Sequence, residues 1–386
     1  MKRRDLLLGL GAGCLALKGI QLRAAPASDT RFLLVFLRGA YDCAQTLVPY
    51  ASADYREARP TLALPPPRPG DPAATLALDG NWGLNPVLKE SLMPLWDKKQ
   101  LAFIPFFGTA DASRSHFETQ ARMEMGEAPV GQRSGFLNRL VQAVGDARPV
   151  AFSVQPPLIL QGSRPVPNLS LKRAGPSRIA PRQAELLNQL YRGQALETQV
   201  REGLQAQKEM TEEARQNIDQ NAPGSSGFEQ EARKVARLMN QRYTMGFLDI
   251  GGWDTHINQA QRLDLALKSL GSGLAAFAQE MGSAWDRTMV VVLSEFGRTF
   301  LENGNGGTDH GHGSTAWVLG GALRGGRILG EQVPVDRGHL FQDRDFPVLN
   351  EYRAVLGGLF KGLYGLTSTQ LAQVFPGGKI TDLGLV

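Results

Sequence analysis

The chain has 386 residues, of which 42% are hydrophobic, 20% charged and 8% aromatic, and its formal net charge is +5. These proportions belong to a globular protein with enough apolar material for a full core, and they exclude collagen, coiled coil, intrinsic disorder and a disulfide-stapled miniprotein. Spread evenly, the positive charge would point to nucleic acid or an anionic membrane surface, but most of it sits at the N-terminus.

Residues 2–4 read Lys-Arg-Arg, followed by Asp5 and an apolar run from Leu6 to Leu17. The run is too short to span a hydrocarbon core but fits the apolar segment of a signal peptide, with Ala25-Pro26-Ala27 as a small-residue cleavage site. Arg3-Arg4-Asp5-Leu6-Leu7 resembles the twin-arginine export pattern, so the export machinery is an expected partner and the mature protein an expected periplasmic or secreted one. Residues 1–27 hold Lys2, Arg3, Arg4, Lys18 and Arg23 against Asp5, which leaves a net charge of +1 on residues 28–386. No basic patch remains to argue for nucleic acid, and no lipidation or membrane anchor is expected. Of the two cysteines, Cys14 leaves with the signal and Cys43 alone cannot form an intrachain disulfide. Cys43 reads as a small buried hydrophobe.

Arg31 to Arg38 is a short continuous apolar run, as in a strand buried on both faces, and Asp42 follows its end. Pro60 to Pro72 can only be loop. Asn85-Pro86 opens a helical stretch to Lys99, Leu101 to Phe106 reads as a second buried strand, and Val150 to Val154 as a third. Ala184 to Asn221 is polar with apolar residues at helical spacing, 222–227 breaks it, and Phe228 to Tyr243 resumes as helix. The region from about 184 to 243 reads as a helical excursion on a single domain spanning 28–386. Strand Met245–Ile250, helix Asn258–Gly282, and strands Thr288–Leu293 and Thr315–Leu319 complete the pattern. Strands alternating with long helices predict an α/β fold with a largely parallel sheet and helices on both faces.

In such a sheet a ligand lies outside the C-terminal strand ends. Those ends carry Asp42, the loop 107–118, Asp254-Thr255-His256, and Ser294-Glu295-Phe296-Gly297-Arg298. Four of the chain's five histidines, His116, His256, His310 and His312, fall in polar, Gly-rich loops there; His339 does not and reads as structural. Thr308-Asp309-His310-Gly311-His312 adds a carboxylate and two imidazoles among Gly304, Gly306, Gly307, Gly311 and Gly313, which let backbone bend closely around a ligand. Imidazole plus carboxylate is the ligand set of catalytic zinc or manganese sites that keep a position open. Ser113 and Ser115 flank Arg114, whose guanidinium has the geometry to grip an ester oxyanion; Ser115 with Glu118 equally fits a helix cap. Arg38 and Arg298 are further candidates for oxyanion contact or for structural ion pairs, and Trp253 reads as core or pocket wall.

Residues 34–50 (LVFLRGAYD…TLVPY), 114–120 (RSHFETQ), 251–256 (GGWDTH), 290–299 (VVVLSEFGRT) and 306–313 (GGTDHGHG) resemble, in order and spacing, the twin-arginine-exported family labelled domain of unknown function 1501. That family is similar, more distantly, to the alkaline phosphatase and sulfatase superfamily. The resemblance implies an alkaline-phosphatase-like fold and a divalent metal, zinc first with manganese or calcium as alternatives, as one or two ions. It implies metal ligation by Asp42, Asp254, His256, Glu295, His310 or His312, with Asp309 a ligand or its support. The chemistry it implies is hydrolysis of a small phosphate or sulfate ester, with Ser115 or Ser113 as nucleophile and Arg114 and His116 beside it. Phe296 departs from the superfamily, which has a metal-binding His there, so one metal position is altered or absent. The Cys/Ser-x-Pro-x-Arg pattern of formylglycine sulfatases is also absent. The alternative is a non-catalytic periplasmic protein that keeps the fold and at most one metal and binds a ligand or partner.

Overall fold

In the segment Arg31–Leu37 every residue is buried. Leu33, Val35 and Leu37 enter one hydrophobic core, and Phe32, Leu34 and Phe36 the other. An unbroken apolar run is what a strand covered on both faces requires, because its alternate side chains have no solvent to point into. The computed structural model describes residues 29–127, 134–171, 181–194 and 227–386, with a few positions between 196 and 204. The expected signal at 1–27 and residues 205–226 of the polar helical stretch lie outside the described residues.

The sheet is built from β1 (Arg31–Leu37), β2 (Leu101–Gly108), β3 (Pro149–Phe152), β4 (Met245–Ile250), β5 (Thr288–Ser294), β6 (Ser314–Gly320) and the short β7 (Arg327–Ile328) and β8 (Asn350–Glu351). Its order is β7-β2-β6-β5-β1-β4-β3, with β8 also pairing β2. β1 lies parallel between β4 and β5. Leu37 is level with Ile250 on one side and Ser294 on the other, so three strands end on one line. The fold is α/β with a mostly parallel sheet. β6 is the exception, antiparallel to both β2 and β5. Residues 295–313, between β5 and β6, contain no helix to carry the chain across the sheet, so the chain turns back at the edge where β5 ends. The Gly-rich segment before β6 is thereby fixed at the C-terminal edge of the parallel strands.

Helices α1 (Lys89–Asp97), α4 (Gly227–Gln241) and α5 (Gln259–Met281) cover one face through residues such as Leu92, Val235 and Leu267. The other face is covered by α3 (Phe136–Val144), α6 (Tyr352–Tyr364) and α7 (Ser368–Val374), through Leu140, Leu356 and Val374. After β2 the chain enters α2 (His116–Met125), which starts within the segment read from sequence as loop. Among the described residues no helix is long and apolar enough to cross a membrane.

At the end of β1, Asp42 is buried and paired with Arg59, itself 0% exposed, through Nη1–Oδ2 at 2.5 Å and Nη2–Oδ1 at 3.2 Å. Gln259 Nε2 donates to the same Oδ2 at 2.5 Å, and the Ala44 amide donates to Oδ1 at 3.1 Å. Arg59 also donates to the Phe300 and Thr299 carbonyls at 2.8 Å each, tying the loop after β1 to the loop after β5. Both carboxylate oxygens of Asp42 are therefore taken. Expected from sequence as a metal ligand, Asp42 is found as the ion-pair partner of a buried arginine. Losing one member of such a pair strands a buried charge, so Arg59→Met is expected to lower unfolding stability by about 3–5 kcal/mol. Adding Asp42→Asn should recover part of that loss in denaturant titrations; equal stability of wild type and Arg59→Met would contradict this reading.

Candidate metal centre

The edge on which β1, β4 and β5 end carries the site. Past Leu37 the chain turns through Gly39, whose φ of +116° and proximity to β4's loop leave no space for a side chain: a Cβ there would lie 2.6 Å from the Asp254 amide nitrogen. The Gly39 N–H donates to Glu295 Oε1 at 2.9 Å. Glu295 follows β5 and is wholly buried. Its Oε1 also accepts from His116 Nδ1 at 2.7 Å and Gln120 Nε2 at 2.8 Å, and its Oε2 accepts from Ser294 Oγ at 2.7 Å. Burial alone would raise its carboxyl pKa, but the hydrogen bonds from His116, Gln120 and Ser294 outweigh it and hold the group below the usual range. Glu295 is thus an ionised acceptor whose lone pairs are directed at donors, and it orients His116.

The same device recurs at two further histidines. His310 Nδ1 lies 3.0 Å from the Arg114 carbonyl oxygen, and His256 Nδ1 lies 3.1 Å from Asp309 Oδ1. A carbonyl can only accept, and an ionised carboxylate likewise, so in neutral His116 and His310 the proton sits on Nδ1 and the lone pair on Nε2, whereas His256 faces a carboxylate at each ring nitrogen, Asp309 at Nδ1 and Asp254 at Nε2. The three Nε2 atoms follow one another in a row. His116 Nε2 is 3.0 Å from His310 Nε2, which is 3.1 Å from His256 Nε2. Asp254 closes the group, with Oδ1 at 2.9 Å from His256 Nε2 and 3.4 Å from His310 Nε2, and Oδ2 at 3.6 Å from His116 Nε2. Ligand atoms around a tetrahedral ion with bonds of about 2.0–2.1 Å are separated by roughly 3.3 Å. Among His116, Asp254 and His310 the separations of 3.0, 3.4 and 3.6 Å bracket that value. His116, Asp254 and His310 each offer an atom within 4.8 Å of the other two.

Neutral lone pairs facing one another at 3 Å repel, so the arrangement calls for a cation or a shared proton. The hydrogen bond from Glu295 raises the His116 pKa, whereas burial and then the neighbouring His116 lower that of His310. Asp254 is held by Arg298, itself buried, through Nη1–Oδ1 at 2.6 Å. Partial burial works against its charge, yet Arg298 and the neighbouring imidazoles keep it below the usual carboxylate range. Arg298 in turn bonds the Thr308 hydroxyl and carbonyl. The 297–299 backbone clamps the Gly-rich loop, Thr299 N donating to Asp309 O and Gly311 N to Gly297 O. A Cβ on Gly311 would sit 2.5 Å from the Arg298 carbonyl carbon, which is why this approach needs glycine.

Of the residues singled out in the sequence, Asp254, His256, His310 and His116 come together, with Glu295 and Asp309 behind the imidazoles. His312 does not join them: it is buried, its ring 4.4 Å from that of Phe341. Ser115 caps α2, its Oγ accepting from the Glu118 amide at 3.5 Å. Ser113 Oγ donates to Asp111 Oδ2 at 3.0 Å. Among the described residues no imidazole is hydrogen-bonded to either hydroxyl. Arg114 has φ +54° and is bound by Asp345 Oδ2, from Nε at 2.9 Å and Nη2 at 2.7 Å, so its guanidinium serves an ion pair and its carbonyl serves His310. Arg38 is paired with Glu124 and Asp249. Cys43 is buried and free, its thiol pushed up to about 12 mainly by burial.

Sequence reasoning placed His116 beside a nucleophile rather than in the ligand set. Its ring stacks on Phe296 at 4.9 Å and 25°. The signal was available in Gln120: four residues after His116, it lies on the same helical face and reaches the same Glu295 oxygen. Arg59, Gln259 and Asp345 had no motif around them to mark their roles.

No curated protein matches the chain. Among solved structures, the lipoteichoic acid synthase LtaP from Listeria monocytogenes is similar over 92% of this chain and 76% of its own, at 10% identity and a TM-score of 0.39. Ps i-CgsB, solved in complex with k-i-k-neocarrahexaose, is similar over 92% and 75%, at 10% identity and 0.38. A protein in the alkaline phosphatase superfamily from Vibrio parahaemolyticus is similar over 78% and 62%, at 11% identity and 0.37. The family described as protein of unknown function (DUF1501) matches residues 29–374, and the chain belongs to that family.

Proposed function

We propose that the chain is an exported, divalent-metal-dependent hydrolase of small phosphate or sulfate esters. The observation that carries this reading is the convergence of the His116 and His310 Nε2 lone pairs with Asp254, each of the two rings fixed in one tautomer by an acceptor on its far nitrogen and His256 packed beside them. Second acceptors of this kind are characteristic of metal-binding histidines. A divalent ion, when bound, polarises an ester oxygen or lowers the pKa of a water. The donor set suits zinc or manganese better than calcium, which prefers oxygen ligands. The motif resemblance to phosphatases and sulfatases supplies the reaction class, and the twin-arginine pattern of residues 3–7 the export route.

His116, Asp254 and His310 would hold the ion, with His256 completing the set. Glu295, the Arg114 carbonyl and Asp309 keep the three rings aimed inward, and Arg298 fixes the Asp254 carboxylate. Attack by Ser115 would require it to release the α2 cap, and Ser113 is bound to Asp111, so water is the better-placed nucleophile. The engagement of both serines and of Arg114 also favours a second reading, a metal-dependent binding protein without turnover.

Elemental analysis of the mature protein is expected to find roughly one zinc or manganese per chain, lost in Asp254→Ala/His310→Ala. Metal-free samples in both cases would turn these residues into a hydrogen-bond network. Glu295→Gln, which keeps size but removes the charge behind His116, should weaken metal affinity about 10- to 100-fold in competition with a chelator. Affinity equal to wild type would deny Glu295 that role. With metal bound, a panel of aryl phosphates and sulfates separates the two readings: turnover abolished in His116→Ala supports the hydrolase, and no turnover of any ester supports the binding protein.

A further inference from the structure

A cavity of about 960 Å3 opens beside the metal centre. It starts one residue from two of the converging groups, since Phe117 follows His116, Trp253 precedes Asp254, and both line it. Its walls are mostly apolar, with Phe152, Phe228 and Leu248 among them. Phe117 is 89% exposed and Val154 50% exposed at this surface. Large apolar side chains held in solvent beside a charged cluster mark a surface that a ligand covers. The volume is at the upper end of the range for organic small-molecule sites, roughly 300–1,000 Å3.

Among the described residues of the wall, the carboxylates of Glu124 and Asp249 share the single guanidinium of Arg38. An anionic ligand would meet an excess of like charge.

We infer that this cavity receives the organic portion of the substrate, and that the portion is uncharged, largely apolar and of at least bicyclic-aromatic size. The inference deepens the hydrolase reading and rests on it for the direction in which the ester group points. Its test is independent of turnover. Calorimetric titration of 2-naphthol into the full mature chain, stripped of metal with a chelator, should show saturable binding. Ala266→Phe and Ser269→Phe, which fill the cavity from half-buried positions on α5, should each weaken that binding at least tenfold. The anionic analogue 2-naphthoate should bind at least tenfold more weakly than 2-naphthol. Absence of 2-naphthol binding, indifference to both variants, or a preference for 2-naphthoate would overturn the inference. Hydrolysis of 2-naphthyl phosphate is measured separately on metal-loaded protein. Binding without hydrolysis would sink the hydrolase reading and leave the cavity assignment standing.

Discussion

His116 and His310 are held so that their Nε2 lone pairs meet beside Asp254, with His256 against them, and the loops of the edge hold that arrangement in place. Each ring is fixed from behind by an acceptor: Glu295 for His116, the Arg114 carbonyl for His310, and Asp309 for His256. None of the three acceptors is free to turn away. Glu295 is buried and receives four hydrogen bonds; Arg114 is anchored by Asp345; and Asp309 is braced by Asn303 at 3.2 Å. Inward-facing lone pairs and a carboxylate are electrostatically unfavourable alone and favourable around a cation, so a bound metal would recover the cost of building the site.

The fold supplies the positions. Parallel register between β1, β4 and β5 brings Gly39, Asp254 and Glu295 to one level, and the helix-free return from β5 to β6 carries His310 to the same edge. The buried Asp42–Arg59 pair then joins the loop after β1 to the loop after β5 through the Thr299 and Phe300 carbonyls. The aspartate at the end of the first strand thus serves as a fastener and lies outside the converging group. A cavity with many apolar side chains in its wall lies next to the charged cluster.

Much of the sheet was legible in the sequence because buried parallel strands must be continuously apolar. Met245–Ile250 is found at the expected bounds, and the strands expected at 31–38, 288–293 and 315–319 are found with ends shifted by a residue. The antiparallel direction of β6 was not legible: it follows from the absence of a crossover helix in 295–313, which a glycine-rich stretch announces only as irregular. The short helix α2 was hidden because Ser113 to His116 reads equally as loop or cap. At the site, Asp254, His256 and His310 could be found from motif and strand-end position. His312 shares the motif but alternates to the other side of the chain and packs on Phe341. The ion pairs of Arg59 and Asp345 join residues about 20 and 230 positions apart from partners with no local signal, so only the folded chain reveals them.

The central claim, that His116 and His310 present unprotonated Nε2 atoms with Asp254 to one ion, is tested most directly by X-ray absorption at the edge of the metal bound to the mature protein. The account predicts a first shell with two or three imidazole nitrogens at about 2.0–2.1 Å for zinc, and the outer-ring scattering that imidazoles produce. The imidazole signal should diminish in His116→Ala with the ion still bound. A first shell made wholly of oxygen, or an imidazole signal unchanged by that substitution, would contradict it.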